Sequence, residues 1–385
     1  MRRLFLILGI IMMRLVVQAQ PQTGAEQMSE YLPLLQGKRV AILTNYTALV
    51  DGTNVVDTLV KRGINIVKIF SPEHGFRGDA DAGATVGNQK DPVTGIPIIS
   101  LYGSKHKPTA DDLADVDVMV YDIQDVGVRY YTYPASLQRY MESAIENHRP
   151  LIVLDRPDPN GGYIDGPVLD TAFRSFVGMQ PVPVVYGMTI GEYARMLLGE
   201  GWVASASDRG FRLTVIQCRH YTHHSRYILP VKPSPNLPNI QSVYLYPSLC
   251  LFEGTAISLG RGTDKPFELF GVPSLPHDLF SFTPRSVPGA TSPPHLGEVC
   301  YGYDLSHIDV PHAMSLKWVL LAYRLFPDKD HFFNKNGSVF DRLAGSSVLR
   351  QQIRDGLSEE AIRKSWEPGL KHFNVIRKKY LLYAE

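Results

Sequence analysis

The sequence predicts an α/β protein: a mostly parallel sheet covered by helices in the N-terminal part, followed by a smaller α+β part. Three observations predict it. From Lys38 to about Gln217, apolar runs of strand length alternate with amphipathic runs of helix length, the pattern of a parallel sheet with crossover helices. Polar residues gather directly after successive strand-like runs, where open parallel sheets bind their ligands. Four prolines in Pro230-Val-Lys-Pro-Ser-Pro-Asn-Leu-Pro238 then break the pattern, as a domain boundary would.

The first nineteen residues hold two early arginines, an apolar stretch from Leu4 to Met13 and the small-x-small site Val17-Gln18-Ala19. This reads as a signal peptide, removed to leave a mature chain from Gln20 that is exported, periplasmic or extracellular. An N-terminal membrane anchor is the alternative, although the stretch is short for a bilayer span. No cysteine follows the cleavage site, so no lipid anchor and no stable membrane insertion are expected.

Strands are predicted at Arg39–Thr44, Ile64–Phe70, Val116–Tyr121, Leu151–Leu154, Val182–Tyr186 and Arg212–Ile216, and helices at Thr53–Arg62, Ala135–Asn147 and Thr189–Glu200. The last helix opens on Thr189-Ile-Gly-Glu192, a capping box. Beyond the prolines come a strand at Val299–Leu305, helices at Ser315–Leu325, Ser347–Asp355 and Ser358–Lys364, and a closing segment Arg377–Tyr383. A chain of 385 residues exceeds what one core usually serves, so residues 20–235 and 236–385 are taken as two domains.

Composition narrows the partners. With 44% hydrophobic and 20% charged residues the chain is ordinary globular protein, and a net charge of +1 gives no electrostatic footprint for nucleic acid or anionic membrane. No G-x-x-x-x-G-K and no G-x-G-x-x-G follows a strand, so no nucleotide cofactor is expected. Ser104-Lys-His-Lys107 fits S-x-x-K but lacks the motifs that accompany it in serine acyl enzymes. His220, His223 and His224 have no acid nearby and read as a solvated loop, leaving no metal site. Cys218, Cys250 and Cys300 are too few and too far apart for a disulfide framework or a zinc site, and Cys218 and Cys250 read as small buried apolar residues.

Carboxylates remain. The run Ile64-Asn-Ile-Val-Lys-Ile-Phe70 leads into Glu73, His74 and Arg77; the first strand ends on Asn45, the third on Asp122, Gln124 and Asp125, and the fourth on Asp155 and Asn160. Glycoside hydrolysis usually needs an acid that protonates the leaving oxygen and a second group that stabilises an oxocarbenium-like transition state. Glu73, His74 and Asp122 are the catalytic candidates. Behind them Arg129 suits a substrate carboxylate, and Tyr131 and Tyr133 offer rings for a sugar face. Each also has a plain structural reading: Glu73 as a turn acid, Asp122 as a cap paired with Arg129, and the tyrosines as core. That reading does not account for their concentration at one sheet edge.

These residues carry a family resemblance. Pro72-Glu-His-Gly-Phe-Arg-Gly78, Tyr121-Asp-Ile-Gln-Asp-Val-Gly-Val-Arg-Tyr-Tyr-Thr-Tyr133, Val153-Leu-Asp-Arg-Pro-Asp-Pro-Asn-Gly-Gly162, Gly187-Met-Thr-Ile-Gly-Glu192, Ser234-Pro-Asn-Leu-Pro238, Cys250-Leu-Phe-Glu-Gly-Thr255, Gly260-Arg-Gly-Thr263 and Phe340-Asp-Arg-Leu-Ala-Gly345 together resemble the exo-acting β-N-acetylmuramidases of the NamZ type, over roughly Leu35 to Tyr383. The resemblance implies a Rossmann-like N-terminal domain bearing the active cleft, a smaller C-terminal auxiliary domain, and release of N-acetylmuramic acid from the non-reducing end of peptide-free peptidoglycan fragments. It also implies that Glu73 is the catalytic glutamate, and it brings forward Glu253 and Arg261 as candidates to reach the cleft from the second domain. The family often has asparagine where this chain has Asp158, a departure expected to add a charge near the crevice. The substrate's 2-acetamido group can itself act as nucleophile, so a second enzymic carboxylate need not attack carbon. The expectation is an exported exo-glycosidase without cofactor; the alternative is a periplasmic sugar- or muropeptide-binding protein that grips without cutting.

Overall fold

Seven strands form the central sheet of the computed structural model, which describes residues 20–77, 89–203 and 210–385. The segment read as a signal peptide, together with Gly78, Asp79 and Asp81, lies outside the described residues. The strands β1 (Arg39–Thr44), β2 (Asn65–Ser71), β3 (Gln89–Lys90), β4 (Pro97–Ser100), β5 (Val118–Asp122), β6 (Leu151–Leu154) and β7 (Leu213–Ile216) lie in the order β3-β4-β2-β1-β5-β6-β7. All neighbours are parallel except the short edge pair β3 and β4. Without β3 this is the doubly wound order, with its switch point between β1 and β5.

The sheet is buried on both faces, and alternation along each strand divides its side chains between two cores. Ala41, Leu43, Met119, Tyr121, Leu151 and Val153 pack into one hydrophobic cluster with α3 (Tyr133–Glu146) and α4 (Ile190–Gly199). Val40, Ile42, Val118, Val120, Ile152 and Leu154 pack into the other with α1 (Met28–Leu35) and α2 (Val55–Lys61). Helix α4 starts as expected, with Thr189 and Glu192 closing both halves of the capping box.

The smaller C-terminal domain holds α5 (Ile240–Leu249) and a three-stranded antiparallel sheet of β8 (Leu269–Val272), β9 (Phe280–Phe282) and β10 (Cys300–Asp304). Helices α6 (Lys317–Leu325), α7 (Ser338–Ala344), α8 (Val348–Arg354) and α9 (Glu359–Arg377) follow. Its apolar residues, Phe252, Phe270 and Phe340 among them, belong to the same cluster as the α3 face of the large sheet.

Two elements differ from expectation. Val182–Tyr186 is buried but joins no ladder; Val185 makes only single bridges to Val128 and Asp165. Its apolar run reflects packing, because β7 already occupies the edge beside β6. Helix α9 continues past Pro368 to Arg377, where Ile362, Trp366 and Phe373 keep burying one stripe, and the segment after it forms no regular element. Helices α1, α5 and α7, strands β8 and β9 and the β3–β4 edge were not foreseen.

Candidate active site

Strand β2 ends at Ser71, and a turn closed by the Gly75 amide on the Pro72 carbonyl (3.1 Å) delivers Glu73 and His74. His74 has φ of 69° and Gly75 of 75°. A left-handed histidine is a strained conformation of the kind that gathers at functional sites. Glu73 Oε2 accepts a hydrogen bond from Thr132 Oγ1 at 2.8 Å. Thr132 occupies the N-cap position of α3 but does not cap it. Its hydroxyl instead fixes the glutamate from across the sheet.

Glu73 and His74 open onto a cleft of about 870 Å³ between the two domains, a volume suited to a small ligand. The sheet side contributes Tyr102, Tyr131, Thr132 and Tyr133; the C-terminal side contributes Tyr246, Glu253, Arg261, Phe267 and His295. Tyr131 meets Tyr133 and Tyr246 edge to face, with centroids 4.7 and 5.9 Å apart, and Tyr246 meets Phe267 at 5.1 Å. The chain of rings gives the cleft an apolar floor on which a pyranose can lie. Burial raises the Tyr102 phenol above its ordinary pKa, and the carboxylates of Glu73 and then Glu253 raise it further.

Glu253 and Arg261 form the opposing polar element. Arg261 donates from Nε (3.1 Å) and from Nη2 to Glu253 Oε1, and its guanidinium lies 5.0 Å from the Phe267 ring. Burial alone would lower the arginine's pKa, but the Glu253 carboxylate outweighs it and the net direction is up. Cys250 is buried beneath, its Sγ 3.8 Å from Glu253 Oε2.

Several sequence candidates hold up the cleft without entering it. Asp122 lies at the carboxyl end of β5, fully buried, and accepts from Arg156 Nε at 2.5 Å and Nη2 at 3.0 Å. It is therefore not placed as a second catalytic carboxyl: the arginine after the next strand occupies it. Arg129 is also buried, and it donates to the carbonyls of Pro167, Val182 and Leu343 at 2.7 to 2.8 Å. Burial lowers its pKa to about 10, and its donors are turned away from any substrate carboxylate. Arg77 binds Asp91 at 2.7 Å and stacks on Phe76.

The remaining amides and acids are structural. Asn45 donates to the Tyr133 hydroxyl at 2.8 Å, so it positions a cleft residue. Gln124 donates to the carbonyls of Asp125 and Pro157. Asn160 donates to Val126 O. Asp125 takes the Tyr186 hydroxyl and the Gly127 amide. Asp155 takes Thr189 Oγ1, the Gly191 amide and the Tyr383 hydroxyl. Burial lifts Asp125 and Asp155 each to about 6 despite these donors. Burial, and then the neighbouring Asp125, push the pKa of Asp158 well above the usual carboxylate range, which works against the extra charge expected at this position.

The histidine loop also reads differently in three dimensions. His223 is buried and bridges Gly161 O and Glu192 Oε1, each at 3.1 Å, while His220 and His224 are exposed. Residues missed by sequence reasoning are Thr132, Tyr102, Tyr246, Phe267 and His295. Thr132 stood inside a quoted motif and its cap position was the available signal. The others reach the cleft by tertiary packing, which no local spacing records.

The comparisons agree over nearly the whole chain. The family model for the N-terminal part of exo-β-N-acetylmuramidase NamZ matches residues 40–241, and that for its C-terminal part residues 244–383. The chain is 40% identical to the peptidoglycan β-N-acetylmuramidase NamZ of Bacillus subtilis, covering 94% of this chain and 91% of that protein. Two crystal structures of DUF1343 family proteins from Bacteroides fragilis superpose with TM-scores of 0.87 and 0.81, at 43% and 30% identity. They cover 95% and 94% of this chain and 100% and 99% of their own. With both family models matched in sequence order, the chain belongs to the NamZ family of exo-β-N-acetylmuramidases, which are glycoside hydrolases.

Proposed function

We propose that the protein hydrolyses the β-glycosidic bond of a terminal N-acetylmuramic acid residue, releasing that sugar from the non-reducing end of peptide-free peptidoglycan fragments. The observation that carries this reading is Glu73, held by Thr132 at the wall of an aromatic-floored cleft. In the proposed step the Glu73 carboxyl gives its proton to the glycosidic oxygen as the bond to the anomeric carbon breaks and the aglycone leaves as an alcohol. The anomeric carbon is then captured by the substrate's own acetamido oxygen, and the resulting ring is opened by a water that returns its proton to the Glu73 carboxylate, or it is captured directly by a water whose proton passes to solvent, from which Glu73 is reprotonated. The first-formed anomer, followed by proton NMR, decides between the two: retention for the acetamido route, inversion for direct water attack.

Glu73→Gln should lose more than about 100-fold in kcat with little change in KM, the contribution of a positioned general acid. The assay is a chromogenic muraminide, with free N-acetylmuramic acid from a MurNAc-GlcNAc disaccharide identified by mass spectrometry. Near-normal turnover by the variant would remove Glu73 from the acid's role. A wild-type protein that binds the disaccharide and never cuts it would make this a binding protein. The same reading includes export and a role in cell-wall turnover or recycling. Export is tested by fractionating cells and sequencing the mature N-terminus, expected near Gln20.

A further inference from the structure

We propose that Arg261 reads the lactyl carboxylate that distinguishes N-acetylmuramic acid from N-acetylglucosamine, an assignment that rests on the muramidase reading of this cleft. In a peptide-free muramic acid terminus the lactyl group is the anionic substituent, so selectivity for that sugar calls for a cation at the right edge of the cleft. Among the described residues that line it, Arg261 is the one carrying a permanent positive charge. The other arginines near the sheet end are committed elsewhere: Arg156 to Asp122, Arg77 to Asp91, and Arg129 to three backbone carbonyls.

Arg261 is also held in a way that leaves donors for a ligand. Its Nε and Nη2 both point to Glu253 Oε1, and its Nη1 makes no hydrogen bond to a described residue. Phe267 supports the guanidinium from one side at 5.0 Å. The backbone is set by flanking glycines with φ of 71° and 81°, and a Cβ on Gly262 would lie 2.4 Å from the Arg285 carbonyl. A fork pinned along one edge presents its other edge without losing further side-chain entropy on binding. Glu253 then acts as a positioning residue that orients the fork, and its negative charge also opposes a second carboxylate, which favours exchange of product over tight retention.

The test uses the full chain and three chromogenic β-glycosides: the muraminide, its lactyl amide, and the N-acetylglucosaminide. Wild type should prefer the acid over the uncharged lactyl amide by about 10-fold or more, the scale of a charge-assisted hydrogen bond. Arg261→Met should lose about 10- to 100-fold in kcat/KM on the acid, mainly through KM. Its loss on the amide should be smaller by about 10-fold or more, so that the preference disappears, and Arg261→Lys should fall between. Equal losses on acid and amide would overturn the assignment, and so would a preference for the acid that returns when Glu253→Gln is added to Arg261→Met, because the loss would then come from the unpaired Glu253 carboxylate. The wild-type ratio keeps the test decisive if a variant does not fold, since a ratio near one also overturns it. Wild type inert on all three glycosides would instead overturn the muramidase reading, and this assignment with it.

Discussion

Asp158 sits beneath Gly127, whose φ of 70° and missing Cβ make room for it; a Cβ there would come within 2.2 Å of the carboxyl oxygens. Because its pKa is raised in the folded state, the native protein holds this proton more tightly than the unfolded chain does. The stability this contributes is complete below the unfolded pKa near 4 and is lost as pH rises above it. Asp158→Asn should therefore lie closest to wild type near pH 4 and melt higher near pH 8, at about 1–1.5 °C per kcal/mol for a chain of this length. Melting curves across pH check it, and a gain that grows toward acid would contradict it. Asp125 and Asp155 carry the same sign, over a window ending near 6. Asp122 and Arg156 form a buried ion pair. Arg156→Met strands a buried carboxylate and should cost about 3–5 kcal/mol by denaturant unfolding, with much of that recovered when Asp122→Asn is added. The position of Glu73 at the end of β2 was legible in sequence because its loop is local and its neighbours are consecutive. Asp122 was misplaced because its partner lies 34 residues away, just past the end of the next strand, and nothing in a strand-end acid records whether another strand-end has already neutralised it.

At the scale of elements, strands β1 and β6 appear where hydrophobic patterning set them, since strands buried on both faces write continuous apolar runs. The segment Val182–Tyr186 writes the same run and is no strand, because burial and ladder pairing leave the same mark in sequence. The C-terminal tail was the least legible element, although it reaches far into the sheet domain. Tyr383 donates to Asp155 Oδ2 at 2.6 Å and accepts from the Cys218 amide at 2.8 Å, while Glu192 Oε1 accepts from the Leu382 amide at 2.7 Å. These bonds anchor the chain terminus against the carboxyl ends of β6 and β7. Tyr383→Phe removes one donor from buried Asp155 and leaves the Cys218 amide without its acceptor, so it should cost about 1–3 kcal/mol. Truncation after Leu381 should cost more, because Glu192 loses its backbone donors as well. Urea unfolding of the two variants gives the order, and a truncation no worse than the point substitution would show the tail to be a passive strap.

At the scale of the molecule, the cleft lies on a seam that is also part of the core. The cluster holding Leu43 and Phe70 of the sheet continues without a break into Phe252, Phe270 and Phe340 of the C-terminal domain. Arg129 reaches across to the carbonyl of Leu343 at the end of α7, and Asp165 accepts from Arg363 of α9 at 2.7 Å. Two units that share one apolar core lose it together, since separating them exposes on each side the surface the other had covered. We therefore expect calorimetry to give one transition whose van't Hoff and calorimetric enthalpies agree. Two transitions would mean that the seam parts before either half unfolds. The same continuity makes the cleft a fixed feature of the folded state, so a ligand bound in it must stabilise the whole molecule. Glu73→Gln at a MurNAc-GlcNAc concentration of 100 times Kd should gain about 2.7 kcal/mol, read as an upward shift of that single transition with its shape preserved. A shift confined to part of the heat-capacity trace would show that only one half holds the sugar.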